Sequence, residues 1–272
     1  MTNSIGEIAD ADFILTAGTN TFDAHPIIGI KIKQAVAKGA TLAVIDPRLT
    51  DSAKLAQYHL QLKPGTDIAL FNGLANVIIE EGLYNKEFVE ARTEDFDAFK
   101  QTVAKYTPDY VSEITGVPAE TIKEVARGYA KAKNSTILYT MGITQHICGT
   151  HNVFSTTNLS MLCGHIGKES SGVNPLRGQN NVQGACDMGA LPVVFPGYQP
   201  IGVEANREKF AKAWNVESVP DKPGLTVGEM VEAAGKSIKA MYILGENPVL
   251  SDPDANQVIH ELESLDFLVV QD

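Results

Sequence analysis

The chain predicts an α/β fold: a doubly wound, mostly parallel Rossmann-like αβα sandwich followed by part of a second αβα unit. Three observations carry that expectation. Short apolar runs alternate with segments of helical period; glycines and polar residues stand at the ends of those runs; and the alternation restarts after a long glycine- and amide-rich stretch.

Taken in order, Asp12-Phe13-Ile14-Leu15-Thr16-Ala17, ended by Gly18, and Thr41-Leu42-Ala43-Val44-Ile45, ended by Asp46-Pro47, read as buried parallel strands. Between them Pro26 suits a first helical position, with Ile28, Ile32 and Val36 on one face and Lys31, Lys33 and Lys38 towards water, which completes a βαβ unit. Asn20, Asp23 and His25 form a polar turn whose simplest use is to cap that helix. Thr66 is an N-cap for a helix carrying Ile68, Phe71, Leu74, Ala75 and Ile78, stopped by Gly82. Pro118 opens another, with Ile122, Val125, Ala126 and Tyr129 on one face. Thr136 to Thr140 is a third buried strand feeding Met141-Gly142, and a helix rich in small residues follows over 152–163.

Beyond the glycine stretch, helices are expected over 206–214 and 227–234, the second with a Thr226/Glu229 capping box. Ala240 to Leu244 is a strand ended by Gly245, Asp252-Pro253 supplies a cap and first-turn proline for a last helix, and Phe267 to Val270 is a last strand. Two strands make an incomplete sheet with an open edge and little core. The boundary falls near Gln179, dividing the chain into 1–179 and 180–272.

Composition narrows the function. The apolar fraction is 44% and no run of about eighteen apolar residues could span a bilayer, so direct membrane insertion is not expected. A net charge of −11 argues against nucleic acid and anionic membranes as partners. A phosphate-rich ligand would then have to be held by backbone amides and a few local cations. Met1 to Asp10 lacks the basic start and apolar centre of a signal peptide, although a native N-terminus further upstream would make that absence uninformative about export. Cys148, Cys163 and Cys186 have the spacing of neither a zinc site nor an iron–sulfur run, and unpaired they suit a reducing cytoplasm. The spacing of His146, His151 and His165 matches no compact metal motif, so these read as solvated or core histidines, and no residue is assigned to a metal.

The most informative stretch is Val173 to Gly189, which sets Arg177 among glycines and the carboxamides Asn174, Gln179, Asn180, Asn181 and Gln183 in a segment expected to be non-repetitive and to build little core. A planar guanidinium suits two-point binding of a small carboxylate or a phosphate, against the plainer reading of a solvated loop arginine. Ligands of doubly wound sheets bind beyond the carboxyl ends of the strands. Gly18-Thr19-Asn20, Asp46-Pro47-Arg48, Met141-Gly142 and Gly245-Glu246-Asn247 all stand there. No G-x-G-x-x-G follows the first strand, which counts against a nicotinamide or flavin module. Asp46 is a turn residue, a ribose ligand or an acceptor for the N1–H and N2 amine edge of guanine. Arg48 pairs with a surface acid or binds base and phosphate; Lys63 to Asp67 joins glycine to a helix start where amides can meet an anion. Gln145 is loop filler or a hydrogen-bonding group, and Glu246 is structural unless its neighbours bind a second ligand.

The run Asn174-Pro175-Leu176-Arg177-Gly178-Gln179-Asn180-Asn181-Val182-Gln183-Gly184-Ala185-Cys186-Asp187-Met188-Gly189 closely resembles the active-site loop of formate dehydrogenase catalytic (alpha) subunits, in the molybdopterin oxidoreductase family. The resemblance continues through Gly18 to Pro26, Asp46-Pro47-Arg48, Lys63 to Asp67, Met141 to Gln145, Gly245 to Pro248 and Gln271-Asp272, and it covers effectively the whole chain. It implies bis(molybdopterin guanine dinucleotide) with molybdenum or tungsten, formate as substrate, and electron-transfer subunits as partners. It implies catalytic roles for Arg177, which would orient formate, and Gln179. It implies cofactor contacts for Gly18, Asn20, Asp23, Asp46, Pro47, Arg48, Pro64, Gly65, Asp67, Met141, Gly142, Gln145 and Gly178, and for Gly245, Glu246, Asn247, Gln271 and Asp272. The family's iron–sulfur segment with its metal-ligating cysteine or selenocysteine, and its C-terminal domain, have no counterpart here, so the chain reads as an internal piece, inactive alone, with the 4Fe-4S cluster bound elsewhere. The alternatives are another molybdopterin oxidoreductase, of nitrate or sulfoxide type, and a non-catalytic dinucleotide-binding module.

Overall fold

The computed structural model describes residues 1–272, which form two compact units, Met1–Gly178 and Gln179–Asp272. In the first, a 3-10 turn, Ile5–Asp10, precedes strand β1 (Phe13–Ala17), helices α1 (Thr21–Ala24) and α2 (Pro26–Ala37), β2 (Thr41–Ile45), α3 (Asp51–Leu55) and β3 (Tyr58–Leu60). Five helices follow: α4 (Asp67–Glu80), α5 (Lys86–Arg92), α6 (Phe96–Val103), α7 (Pro108–Thr115) and α8 (Ala119–Lys131). The unit closes with β4 (Ser135–Tyr139), α9 (Met141–Thr144), α10 (Gly149–Leu162) and β5 (Gly172–Pro175).

The five strands make one parallel sheet in the order β3-β2-β1-β4-β5, with Phe13 in register with both Thr41 and Ser135. The chain winds outward from β1 to β3, then crosses back through α4 to α8 to place β4 on the other side of β1. The order therefore reverses between β1 and β4, which opens a crevice at their carboxyl ends.

Strand alternation sorts the core into two layers. Phe13, Leu15 and Ala17 join Leu70, Phe71, Leu74 and Ile78 of α4 and Ile122, Val125 and Tyr129 of α8 on one face. Ile14, with Leu42 and Val44, packs on Ile28, Ile32 and Ala35 of α2 on the other. Strand β1 is buried along its whole length. The helix α4 is buried nearly all round, not on one face as its period suggests, because α6, α7, α8 and α10 all pack against it. Asn76, buried in it, is satisfied by donating to the Val103 carbonyl at 3.2 Å.

Several local expectations are corrected. Thr66 precedes α4, but its hydroxyl donates to the Lys63 carbonyl at 2.6 Å and caps nothing. Asn20 and His25 stand at the N-cap positions of α1 and α2, and neither side chain makes a capping bond. The stretch around Arg177 is only partly irregular. Its first residues are β5, and Asn174 is buried, donating to the Thr136 hydroxyl at 2.8 Å and accepting from the Asn3 amide at 3.2 Å. Strand β3 and helices α5 to α7 are not among the expected elements: β3 is three residues long and the helices span only seven or eight, shorter than the window over which a helical period is read.

The second unit contains α11 (Val182–Asp187), a small antiparallel pair β6 (Val194–Phe195) and β7 (Gln199–Pro200), α12 (Glu204–Trp214) and α13 (Val227–Glu232), then β8 (Ala240–Leu244), α14 (Pro248–Ser251), α15 (Ala255–Glu263) and β9 (Phe267–Gln271). Its small core is Phe195, Ile201 and Phe210, with the Phe195 and Phe210 rings stacked at 4.7 Å. The capping box of Thr226 and Glu229 is present. The proline before the last helix is not its first turn: Asp252 ends α14, and Asp254 caps α15 by accepting from the Gln257 amide at 3.2 Å. Strands β8 and β9 pair in parallel from Ala240 with Phe267 to Leu244 with Gln271, and every residue of β9 is exposed.

Candidate functional site

At the crevice the loops after β1 and β4 are locked together. The Gly18 carbonyl accepts from the Gly142 amide at 3.1 Å and from the Thr140 hydroxyl at 2.7 Å. A Cβ on Gly18 would lie 2.6 Å from the Gly142 carbonyl carbon, and Gly18 has a φ of +55°, so a side chain is excluded by both space and conformation. This close approach sets the floor of a cleft of about 380 Å³, lined by Gly18, Thr19 and Asn20 after β1, by Ile45 to Arg48 after β2, by Leu62, Pro64, Gly65 and Asp67 at the start of α4, and by Thr140, Gly142 and His146 after β4.

Two carboxylates define its chemistry. Asp46 is 4% exposed and accepts from the Arg48 amide at 2.8 Å, so it does turn the chain as well as face the cleft. The Arg48 guanidinium stands 3.9 Å away, mostly in solvent, and His59 and Gln61 hold the Asp46 and Pro47 carbonyls at 2.9 Å each. Asp67, at the first position of α4, is 6% exposed; burial raises its carboxyl above the ordinary range, opposed by its own backbone amide and by His146. His146 lies 3.9 Å from Asp67 and donates to the Gly142 carbonyl at 2.8 Å. A cleft with buried acceptors and few cations suits a ligand that offers donors, such as ribose hydroxyls or the N1–H and N2 amine edge of guanine. The Asn20 side-chain oxygen, buried and without a partner, adds one more acceptor of that kind.

Of the residues named from the sequence, Gly18, Asn20, Asp46, Pro47, Arg48, Pro64, Gly65, Asp67 and Gly142 line this cleft together. Asp23 stands beside it and accepts from the Asn20 amide group. Met141 and Gln145 are exposed on the α9 turn. Arg177 and Gly178 follow β5 at the same edge of the sheet and are exposed, with the Met141 sulfur 3.9 Å from where a Gly178 Cβ would be. The charge of Arg177 acts on Tyr139 at the end of β4, whose hydroxyl is pushed up by burial and eased down by the guanidinium. Gln179 is the first residue of the second unit. Within that unit Gly245, Glu246, Asn247, Gln271 and Asp272 gather at the carboxyl ends of β8 and β9, where the Gly245 amide donates to the Gln271 carbonyl at 2.9 Å, Tyr242 donates to the Gln271 side chain, and Ser251 donates to Glu246 at 3.4 Å.

Sequence reasoning did not place Thr140 or His146 in the cleft. Thr140 ends a strand beside a glycine, a legible signal; His146 meets Asp67 only through the fold. His165 is a core histidine, 2% exposed, donating to the Tyr129 carbonyl at 3.0 Å.

Strand order and parallel pairing, with an acceptor-rich cleft at the reversal point, define a doubly wound α/β fold. The profile of the molybdopterin oxidoreductase family matches residues 1–272, and the chain belongs to that family, whose members carry a molybdopterin cofactor with molybdenum or tungsten. It is 52% identical over its full length to the F420-dependent formate dehydrogenase 1 subunit alpha of Methanococcus maripaludis and 53% identical to the F420-dependent formate dehydrogenase subunit alpha of Methanocaldococcus jannaschii, covering 40% of each. It is 48% identical to formate dehydrogenase H of Escherichia coli, covering all of this chain and 38% of that protein. The chain thus spans about two fifths of the length of these relatives. Among solved structures, acetylene hydratase from Pelobacter acetylenicus matches 98% of the chain and 41% of that protein with a TM-score of 0.70 at 22% identity, a likeness of fold alone. No helix is long and apolar enough to cross a membrane.

Proposed function

We propose that the chain is the central cofactor- and formate-binding part of a molybdenum or tungsten formate dehydrogenase, which oxidises formate to carbon dioxide reversibly, with Arg177 orienting the substrate. The observation that carries this reading is the position of Arg177: it follows β5 at the carboxyl edge of a sheet whose crevice is lined by acceptors, in a chain about half identical to formate dehydrogenase subunits. Residues 1–179 would hold one guanine dinucleotide and 180–272 part of a second site, in a bis(molybdopterin guanine dinucleotide) arrangement. The bound cofactor would supply the two-electron oxidation, with a 4Fe-4S cluster outside this chain and electron-transfer subunits accepting the electrons, in the cytoplasm.

The chain's own residues supply recognition. Asp46 and Asn20 would accept from the guanine edge or ribose, Asp67 with His146 would order the start of α4, and the amides of Gly65 and its neighbours would face phosphate. Arg177 would bind both formate oxygens through its planar fork and so fix the direction of the C–H bond, with Gln179 a second contact.

In the complete enzyme, Arg177→Ala is expected to lower formate turnover by about 10²–10³, the range for losing one charge-stabilising group, while bound molybdenum or tungsten and releasable guanosine monophosphate stay at the level of the parent. Unchanged formate turnover in that variant refutes the assignment. Equal or faster turnover of nitrate or a sulfoxide by the parent enzyme would transfer it to another branch of the family.

A further inference from the structure

We infer that His25 is a positioning residue for Arg177, a latch that sets the direction of the arginine by holding its backbone carbonyl; this rests on the formate-orienting reading of Arg177. The His25 Nε2 lies 2.5 Å from the Arg177 carbonyl oxygen, across 152 residues of sequence. A carbonyl only accepts, so the bond is one that Nε2–H donates. The ring's Nδ1 is buried and has no partner, so the ring is held by the one bond it gives to Arg177 and by packing.

The arginine is tied on its other side as well. The Leu176 amide donates to the Tyr139 carbonyl at 2.8 Å, and Leu176 is itself buried. Arg177 therefore leaves β5 through a buried Leu176 whose own amide is anchored to the end of β4, while the Arg177 carbonyl is held at the corner between α1 and α2. His25 is rigid at that corner: its amide donates to the Thr21 carbonyl at 3.0 Å and its carbonyl accepts from Gly29 at 2.8 Å. The two anchors bracket Leu176 and Arg177, and with Leu176 buried they narrow the φ and ψ open to residue 177, and hence the direction of its Cα–Cβ bond. A guanidinium that must meet a small carboxylate in one orientation gains from such preorganisation.

The test compares His25→Phe, which keeps the ring and loses the donor, with His25→Gln, which keeps a donor of similar reach, in the complete enzyme. His25→Phe is expected to raise the KM for formate by about tenfold, the order of one neutral hydrogen bond, with a smaller change in kcat and a larger deuterium isotope effect on kcat/KM. His25→Gln is expected to return KM to within about twofold of the parent. Amide hydrogen exchange over residues 176–178 is expected to quicken in His25→Phe and not in His25→Gln, with guanosine content unchanged in both. Equal impairment of the two variants, an unchanged KM in His25→Phe, or a loss of guanosine that accounts for the lost activity each overturns the latch. If His25→Phe does not accumulate as folded protein, His25→Asn, polar but too short to reach, takes its place with the same expected readings. An impaired Arg177→Ala beside a normal His25→Phe removes the latch alone, whereas a normal Arg177→Ala removes the reading on which it stands.

Discussion

Strands β1 and β9 are both five-residue, largely apolar parallel strands, yet every residue of β1 is buried and every residue of β9 is exposed. The difference lies in their neighbours. β1 has a strand on each edge and a helical layer on each face, so alternate side chains enter two separate cores. β9 has one partner strand, and Phe267 and Val270 keep 64% and 59% of their surface. An apolar strand states a capacity for burial; how much of it is realised depends on how many elements arrive around it.

The sharpest way to break that contrast is at the crevice of the first unit. Gly18→Val combines a forbidden φ with a collision against Gly142 backbone, and is expected to cost about 4 kcal/mol, read as a lower urea midpoint for protection of β1 and β4 amides in hydrogen exchange. An undiminished midpoint would mean the two loops are not in contact. Next, Leu15→Ala in β1 should cost about 3 kcal/mol, whereas Val270→Ala in β9 should stay within about 0.5 kcal/mol. Comparable losses for the two would show that β9 is covered in solution.

A pH experiment sharpens the same point, because only a deep core can hold a histidine neutral. Burial lowers the His165 pKa to about 4, with Lys168 adding to the shift. The unfolded chain takes up its proton near the ordinary value of 6.5 and the folded chain only near 4. Above 6.5 both are neutral and the stability is complete; as pH falls from 6.5 towards 4 the unfolded state alone binds the proton, and about 3 kcal/mol is lost. Denaturant midpoints measured between pH 7.5 and 4 should fall less steeply in His165→Gln than in the parent, and parallel curves would refute a buried neutral ring. The smallest effect is expected at the surface. Arg127 grips Glu81 with bonds of 2.8–3.1 Å, but both are partly solvated, so Arg127→Lys should leave the midpoint in the same assay nearly unchanged.

Much of the first unit was readable because its signals are local. Pro26, Ile28 and Ile32 announce α2, Gly18 and Asp46 mark strand ends, and the Ile122 to Tyr129 spacing gives the buried face of α8. What was misread was not local. Asn174 and its neighbours looked like a ligand-binding loop, yet Asn174 is a buried strand residue satisfied by Thr136 and Asn3, and a carboxamide looks the same in sequence whether a ligand or the fold completes its hydrogen bonds. Asp252-Pro253 carries a helix-start signature and is overridden by Asp254, which adopts the left-handed conformation and caps α15 two residues later.

The sequence by itself determined the strand and helix alphabet, the α/β class and the polar residues that end each strand, since periodicity, proline and glycine act over a few residues. Only the tertiary structure decided the β3-β2-β1-β4-β5 order, the meeting of Asp67 with His146 and the hold of His25 on Arg177. Those pairings join residues far apart in the chain, and nothing in either partner's local pattern specifies the other; the helical layers packed on each face of the sheet bring them together.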